Sequence, residues 1–290
     1  MRKKNKDIQL TSYEDLLGID TVTDRAMGQL VYASLEDLHE FKDHPFKVLD
    51  DEKMQETVES IRNYGVLTPG IVRPRQEGGY ELIAGHRRKR GCELVGLTEM
   101  PVLVRNYSDD EATIIMVDTN IQREDIFPSE KARAYTMKYE AMKHQGKRGG
   151  STLDEVGSKA GESGKTVQRY LWLARLSDDL LELVDQKKIG MVQGVDLSFL
   201  DLQAQKWVFD IIQATRVVIT SKQSAELKEY GKKQELTPAM VQLILMEKKQ
   251  KPRKIQIKED KIRQFFPESY SNEQIETVIY ELLEEWKDRK

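Results

Sequence analysis

The sequence predicts a mixed α/β and α protein, in which a small α/β domain is followed by an all-α domain and a small α-rich C-terminal domain. Its 290 residues suffice for about two domains of roughly 100–200 residues each. Short β-rich runs alternate with helical patterns before residue 105, whereas helical periodicity dominates from Pro128 onward. The basic run KKQKPRK at residues 248–254 contains a proline and interrupts the chain before its last helices.

The elements of the α/β domain follow from local patterns. DDEKMQETVESIRNYGV, residues 50–66, spaces apolar residues as a helix does and stops at Gly65. GIVRPR and YELIAG, on either side of the Gly78-Gly79 turn, and later MPVLVRN predict three strands, with the helix RRKRGCELVGL before the third. Residues 1–40 are polar, and TSYEDLLGID within them predicts one short helix or a docking segment.

The helical half begins with SEKARAYTMKYEAMKHQ, whose residues Ala132, Tyr135, Tyr139 and Met142 share one helical face. Beyond residue 254, IQIKEDK predicts a strand that two helices follow. The last helix follows Ser271 as a cap and carries an apolar stripe, which favours either a dimer contact or core packing inside its own domain. The stripe consists of Ile275, Val278, Ile279, Leu282, Leu283 and Trp286.

Composition and charge exclude several classes of protein. No run approaches the ~18 apolar residues of a spanning helix, and MRKKNKDIQL lacks the apolar stretch of a signal peptide, so we expect a cytoplasmic protein without a membrane partner. The single Cys92 excludes an internal disulfide, and four histidines without ligand spacing argue against zinc. The net charge of −3 conceals a basic middle segment, because residues 129–176 hold 10 Lys and Arg against 5 Asp and Glu. Such a segment is typical of a module that meets phosphates.

The basic segment contains TLDEVGSKAGESGKTVQRYLWLARL, which predicts a helix, a tight turn at Gly161 and a second helix, as in a helix-turn-helix. Helical spacing turns one face of the second helix inward, namely Val167, Tyr170, Leu171 and Ala174. The opposite face then presents Lys165, Gln168, Arg169 and Trp172. An ordinary solvated helical hairpin is the alternative interpretation. GESGKT resembles the end of a P-loop, but Lys159 stands where that motif needs glycine, which excludes it.

DNA contacts are predicted from this geometry. Gln168 and Arg169 lie in the first turns of the second helix, where side chains reach base edges, whereas Lys165 suits phosphates. The loop GKRGGST before the motif is either a flexible connection or a phosphate contact. The predicted DNA-binding residues are Lys147, Arg148, Ser163, Lys165, Thr166, Gln168 and Arg169.

Two further motifs carry polar side chains at element ends. GHRRKR, residues 85–90, places four cations after a strand that ends at Gly85. It is either a solvated helix start or a polyphosphate site. A basic first turn opposes the helix dipole unless an anion is present, which favours the polyphosphate site. DTNIQRED, residues 118–125, offers amides and carboxylates that suit a divalent ion, or it is an interdomain loop.

Several strings in one order, HPFKV, GHRRKR, NIQRED and the helix-turn-helix, resemble the ParB family of DNA-partition proteins over residues 41–200. Within that family the chain looks most like proteins of plasmids and integrative elements in Firmicutes. The resemblance implies an inverted-repeat DNA site, CTP with Mg²⁺ bound by the N-terminal domain, a homodimer that closes as a sliding clamp, and a ParA-type ATPase as partner. The expected domains are an arm over residues 1–40, a CTP-binding domain over 41–128, a helix-turn-helix domain over 129–215 and a dimerisation domain over 216–290.

The resemblance also implies the nucleotide site. GHRR matches the family's Gly-Glu-Arg-Arg box and TNIQR its Glu-Asn-x-Gln-Arg box, so the predicted residues are Gly85, His86, Arg87, Arg88, Thr119, Asn120, Gln122 and Arg123. Asn120 is the implied Mg²⁺ ligand. His86 and Thr119 each replace a family carboxylate, which predicts bound CTP with weak or absent hydrolysis, although Asp118 could compensate.

Two alternatives to partition are a helix-turn-helix regulator of transcription or replication and a ParB-like nuclease. The sequence argues against the nuclease, because it contains no acidic cluster with two-metal spacing.

Overall fold

The computed structural model describes residues 28–123, 125–146, 150–246 and 258–289. It divides into two compact units, Met1–Met246 and Glu247–Lys290. The first holds a sheet with helices and then a helical array, and the second holds helices, so the predicted fold class is confirmed. None of the helices in the described ranges is long and apolar enough to cross a bilayer.

The sheet has five strands in the order β1-β5-β3-β4-β2. The outer pairs are β1 with β5, antiparallel, and β2 with β4, parallel, while β3 pairs antiparallel with β4 and parallel with β5. Strands β3, β4 and β5 confirm the three predicted runs. The strands are β1 Gln29–Ser34, β2 Leu38–Glu40, β3 Gly70–Pro74, β4 Tyr80–Ala84 and β5 Glu99–Val104.

Both edge strands lie inside the stretch that the sequence set apart as an arm, so the sheet begins twelve residues before the expected domain start at residue 41. They escaped prediction because β2 is only three residues long and β1 exposes Leu30 and Tyr32 on an edge, without a polar and apolar alternation that marks a strand. The TSYEDLLGID segment lies outside the described residues.

Three helices accompany the sheet, and each begins at a recognisable signal. Asp51 caps α1, whose end is Gly65 at φ 71°, as predicted. Gly85 precedes α2, and a capping box of Ser108 and Glu111 starts α3. The helices are α1 Glu52–Tyr64, α2 His86–Val95 and α3 Asp109–Asn120.

The helical array continues from α4 to α11. One core joins α3 to α4 and the helix-turn-helix through Met116, Tyr135 and Val167, all fully buried. A second core extends from Leu173 to Leu245, so residues 216–246 belong to this unit and the expected boundary at 215 falls inside it. The helices are α4 Pro128–His144, α5 Gly150–Ser158, α6 Gly164–Leu173, α7 Asp178–Asp185, α8 Met191–Leu197, α9 Leu202–Thr215, α10 Ser221–Lys232 and α11 Pro238–Met246.

The second unit contains α12, Glu259–Arg263, and α13, Asn272–Asp288, which confirms the two predicted helices. The Arg263 guanidinium donates to Asn272 Oδ1 at 2.7 Å and links them. The predicted strand IQIKEDK is wrong for its last three residues, which form the first turn of α12 after Lys258; residues 255–257 lie outside the described part.

Candidate functional site

A cleft of about 490 Å³ lies where the sheet meets the helical array. One wall is the junction of β4 and α2, and the other is the end of α3 with the turn after it. All eight residues that were predicted to bind a nucleotide line this cleft, namely Gly85, His86, Arg87, Arg88, Thr119, Asn120, Gln122 and Arg123. Two sequence motifs therefore share this cleft. They begin at Gly85 and at Asp118, which are 33 positions apart in the chain.

Gly85 shapes the first wall. Its φ of 115° is a conformation that side chains rarely adopt, and a Cβ there would approach Gly70 Cα to 3.1 Å. No side chain caps α2, which begins at His86, so its first N–H groups form a positive helix end beside the cleft. This arrangement suits an anion.

Three of the four cations of α2 are paired with carboxylates inside the protein, which the sequence did not predict. Arg87 bonds Asp51 at 3.0 Å, and Arg90 bonds Asp50 through two nitrogens at 2.7 and 3.1 Å. Hydrogen bonds from these arginines hold the pKa values of Asp50 and Asp51 below their ordinary range. Lys89 Nζ lies 3.6 Å from Glu93 Oε1, so these three cations do not require an external anion to neutralise them.

Arg88 differs from its three neighbours because it donates to main-chain carbonyls. Its Nη1 lies 2.5 Å from the Thr68 oxygen and 2.6 Å from the Pro69 oxygen. Burial lowers the pKa of Arg88, but a guanidinium remains charged at neutral pH. Carbonyl oxygens leave that full positive charge uncompensated at the cleft. Arg88 is therefore the cation in this cluster best suited to a phosphate.

Two histidines, His44 and His86, pack against each other at the cleft, with ring centroids 4.0 Å apart and ring planes tilted by 42°. Burial, His44 and then Lys89 and Arg88 lower the pKa of His86 to about 3, and burial lowers the pKa of His44. His44 Nδ1 lies 2.8 Å from the Phe46 oxygen, so it carries the proton and Nε2 is an acceptor. Among the described residues, neither Nε2 has a hydrogen-bond partner although both are buried. A polar ligand, an ion or a water molecule can supply the missing partner of such atoms.

The opposite wall is held by its own main chain. Thr119 Oγ1 donates to the Ile115 oxygen and Asn120 Nδ2 to the Met116 oxygen, at 2.9 and 2.8 Å. Gln122 Nε2 donates to the Lys159 oxygen at 2.9 Å, which connects this wall to the end of α5. The helix end is thus fixed before any ligand binds.

A magnesium ion finds few ligands here. Asp118, which could have compensated for Thr119, accepts a hydrogen bond from Lys138, whose side chain is 4% exposed and also donates to the Val156 oxygen at 3.1 Å. In residues 28–123, 125–146, 150–246 and 258–289, no three His, Cys, Asp or Glu side chains are grouped for a metal. The Asn120 amide oxygen is the one implied ligand, so a bound ion would depend on nucleotide phosphates. Glu124 lies outside the described residues.

The helix-turn-helix forms as predicted, with Gly161 at φ 67° in the turn. Ser163 caps α6 by accepting from the Thr166 N–H, and its Oγ lies 3.1 Å from Thr166 Oγ1, so both hydroxyls have local structural roles. A concave surface lies on the outward face of α6 and encloses a volume of about 750 Å³. It is lined by Leu153, Asp154, Ser163, Gly164, Lys165, Gln168, Arg169 and Trp172.

Of the residues predicted to face inward from α6, Val167 is fully buried, and Tyr170, Leu171 and Ala174 are partly buried. Lys165 and Arg169 are exposed and Gln168 is half-buried. Lys147 and Arg148 lie outside the described residues.

A contact that the sequence did not predict fixes the turn to α4. Tyr135 OH donates to Glu162 Oε2 at 2.8 Å, and Lys131 forms an ion pair with Glu162. Burial and the Glu162 carboxylate raise the pKa of Tyr135, so the phenol remains a donor. The turn before α6 is therefore anchored on the fully buried Tyr135.

The chain is similar to known chromosome-partitioning proteins. The ParB N-terminal domain model matches residues 20–121. Chromosome-partitioning protein Spo0J of Thermus thermophilus is 32% identical over 190 residues, which cover 66% of this chain and 67% of that protein. "Probable chromosome 1-partitioning protein ParB" of Deinococcus radiodurans is 32% identical over 188 residues, 65% of this chain and 62% of that relative's length.

A solved structure with a similar sequence is the C-terminally truncated chromosome-partitioning protein ParB from Caulobacter crescentus complexed with CTP-gamma-S. It is 26% identical, matches with a TM-score of 0.31, and covers 62% of this chain and 98% of that chain. The relationship rests on the domain model and the two relatives.

Proposed function

Because the chain belongs to the ParB family of DNA-partition proteins, we propose that it binds a specific inverted-repeat DNA site and acts in the partition of a plasmid, mobile element or chromosome. The observation that carries the proposal is that one compact unit contains both an exposed basic recognition face on α6 and a cleft that gathers two separate polar motifs. A regulator that binds DNA alone would not need the second feature.

The DNA-binding part of the proposal rests on α6. Lys165, Gln168 and Arg169 line one concave surface on a helix whose turn is fixed by Tyr135 and Glu162. An anchored helix that presents amide and guanidinium groups can enter a major groove and recognise base edges.

Selection from a random duplex pool by the full-length chain tests this part. We expect a short inverted repeat to be enriched, and its affinity to exceed that for random DNA by about 10³-fold or more at physiological salt. Retention of all sequences alike, with affinity that falls steeply with salt, would contradict site-specific binding.

We propose that the cleft binds CTP together with Mg²⁺, the ligand that the ParB resemblance implies. The positive end of α2, the Arg88 guanidinium and the two orphaned histidine nitrogens supply donors and acceptors for a triphosphate and its nucleoside. Because Asp118 is engaged by Lys138, the site has few metal ligands, and we expect hydrolysis to be weak or absent.

Thermal melts of the full-length chain with CTP, UTP, ATP or GTP, each with Mg²⁺ and with EDTA, test the nucleotide. The expected result is a Tm rise that is specific to CTP and larger with Mg²⁺, because a ligand that binds only the native state stabilises it. An equal shift with all four nucleotides would indicate a generic polyphosphate site, and no shift with any would contradict the proposal.

The remaining parts of the proposal concern assembly. The protein forms a homodimer through α13, works with a ParA-type ATPase, and is cytoplasmic in association with a nucleoid or plasmid. Sedimentation tests the dimer, and co-purification with a ParA-type ATPase in the presence and absence of DNA tests that partner.

A further inference from the structure

A large aromatic side chain lies on the outward face of the recognition helix α6. Trp172 follows Gln168 by four residues and Arg169 by three, so one helical face carries all three, and the same concave surface includes them. Leu153 of α5 lies on that surface as well. An indole and an isobutyl group therefore stand within a surface whose other side chains are polar or charged.

The indole is held in place from behind. Its ring centroid lies 5.5 Å from that of Phe199, at 57° between planes, just after α8. Lys228 of α10 places its Nζ 4.3 Å above the Phe199 ring and is itself paired with Asp196 at 3.0 Å. Phe199 thus supports one face of Trp172, and side chains of α8 and α10 hold Phe199 in place.

Core filling does not account for this placement. The inner side of α6 already buries Val167 and Leu173 completely, while Trp172 remains half-buried beside the exposed Arg169. A supported aromatic ring next to groups that hydrogen-bond base edges is suited to an apolar contact in the same groove. The thymine methyl is the apolar group that a major groove displays.

We propose that Trp172, together with Leu153, contacts the 5-methyl group of a thymine and makes one position of the DNA site thymine-specific. The proposal rests on the proposed function, because α6 must enter a major groove. It adds a specificity determinant that hydrogen bonding by Gln168 and Arg169 cannot provide, since those side chains recognise purine edges.

The test removes the methyl group from the DNA and leaves the protein intact. After selection from a random duplex pool, each thymine of the enriched site is replaced singly by deoxyuridine, which keeps every hydrogen-bonding group. At one thymine, or at its symmetry mate, we expect the replacement to lower the affinity of the protein for the site about four-fold. This is the effect of losing one buried methyl-sized group. The other replacements should change affinity by less than two-fold.

A double-mutant cycle connects that methyl to the indole. In Trp172→Ala the sensitive thymine and its deoxyuridine counterpart should bind equally, whereas Gln168→Ala should keep the difference. Trp172→Phe, which retains a ring above Phe199, guards against misfolding and should keep part of the difference. Thermal melts establish that each variant is folded.

The outcomes separate this inference from the proposed function. If no sequence is enriched, site-specific binding fails and the inference fails with it. If a site is enriched but contains no thymine whose methyl matters, or if Trp172→Ala keeps the full deoxyuridine effect, the thymine contact is wrong while the proposed function stands.

Discussion

His86 stands at the start of α2 where the family has a glutamate, and its surroundings keep it neutral. Its ring packs against that of His44 at a tilt of 42°, and burial, His44, Lys89 and Arg88 all lower its pKa. A glutamate there would add negative charge beside the phosphate site proposed for the cleft, whereas a neutral imidazole offers a nitrogen without repulsion. The exchange therefore favours anion binding while it removes a carboxylate that could assist a metal ion.

Acid should destabilise the protein through this residue. The pKa of His86 is about 3 in the folded state, against 6.5 for the unfolded reference, so the unfolded chain binds more protons below pH 6.5. The contribution of His86 to the free energy of unfolding is thus fully present above pH 6.5 and is lost as the pH drops toward 3. We expect His86 to contribute a loss of roughly 1–2 kcal/mol between pH 7 and 5.

Urea denaturation at pH 7, 6 and 5 measures this effect. His86→Gln should flatten the pH dependence, while His39→Gln, at an exposed position of β2, should leave it unchanged. A wild-type slope that persists in His86→Gln would show that other groups cause the acid sensitivity.

Arg88 and Arg90 provide a matched pair for testing the cleft. Arg88 lines it and donates to carbonyls, whereas Arg90 pairs with Asp50 and is not among the lining residues. Arg88→Ala should abolish the Tm rise with CTP and Mg²⁺, and Arg90→Ala should retain it. Arg88→Lys keeps the charge and should retain part of the rise.

Equal loss in Arg88→Ala and Arg90→Ala would mean that the cluster acts only through overall positive charge. DNA binding by α6 should survive in Arg88→Ala, because the variant residue lies outside the recognition surface.

We expect two kinds of DNA contact from the helix α6, one with bases and one with phosphates. Arg169→Ala should weaken binding to the selected site by about 1–3 kcal/mol and leave binding to random DNA nearly unchanged. Lys165→Ala should weaken both similarly and reduce the salt dependence, because a lysine contacts phosphates without regard to sequence. Titrations of both variants on both duplexes at two salt concentrations measure this. Equal loss on both duplexes for Arg169→Ala would contradict recognition of bases.

The sequence predicted those elements whose signals are local. The α1 helix, strands β3 to β5 and the helix-turn-helix carry their own periodicity, caps and glycines. Strand β2 has three residues and is placed by pairing with β4, so its signal lies elsewhere in the chain. Residues 216–246 look separable in sequence, but Leu227 and Val241 complete the core that Val208 begins.

The residues of the cleft could likewise be predicted only where their signal is local. Its eight predicted residues belong to two continuous motifs, which the sequence displays directly. His44 escaped prediction because the chain brings it to His86 from 42 positions away. The pairing of Asp50 and Asp51 with α2 depends on how α1 and α2 pack, and no local pattern reports that packing.

The last helix of the second unit, α13, leaves part of its apolar stripe at the surface. Ile275 of α13 is buried, whereas Leu282 and Leu283 are 58% and 55% exposed in the single chain. The stripe is thus divided: its first residue packs within the unit, and the later leucines remain at the surface. Trp286 of the same stripe is also 58% exposed, and such a group of exposed apolar side chains on one 17-residue helix favours a contact between copies.

We therefore expect the full-length chain to sediment as a dimer and the double variant Leu282→Glu, Leu283→Glu to sediment as a monomer, because two carboxylates cannot be buried at a shared helix face without a large desolvation cost. Leu243→Glu serves as the control, since Leu243 of α11 is 73% exposed in the first unit and should not affect association.

A chain ending at Met246 should also be monomeric and should still bind a single half of the inverted repeat, because the α6 surface lies wholly within the first unit. Its affinity for the complete repeat should fall further than for one half, since two linked recognition helices bind with an effective concentration that separate ones lack. Dimers that persist in both the double variant and the truncated chain would place the contact within residues 1–246.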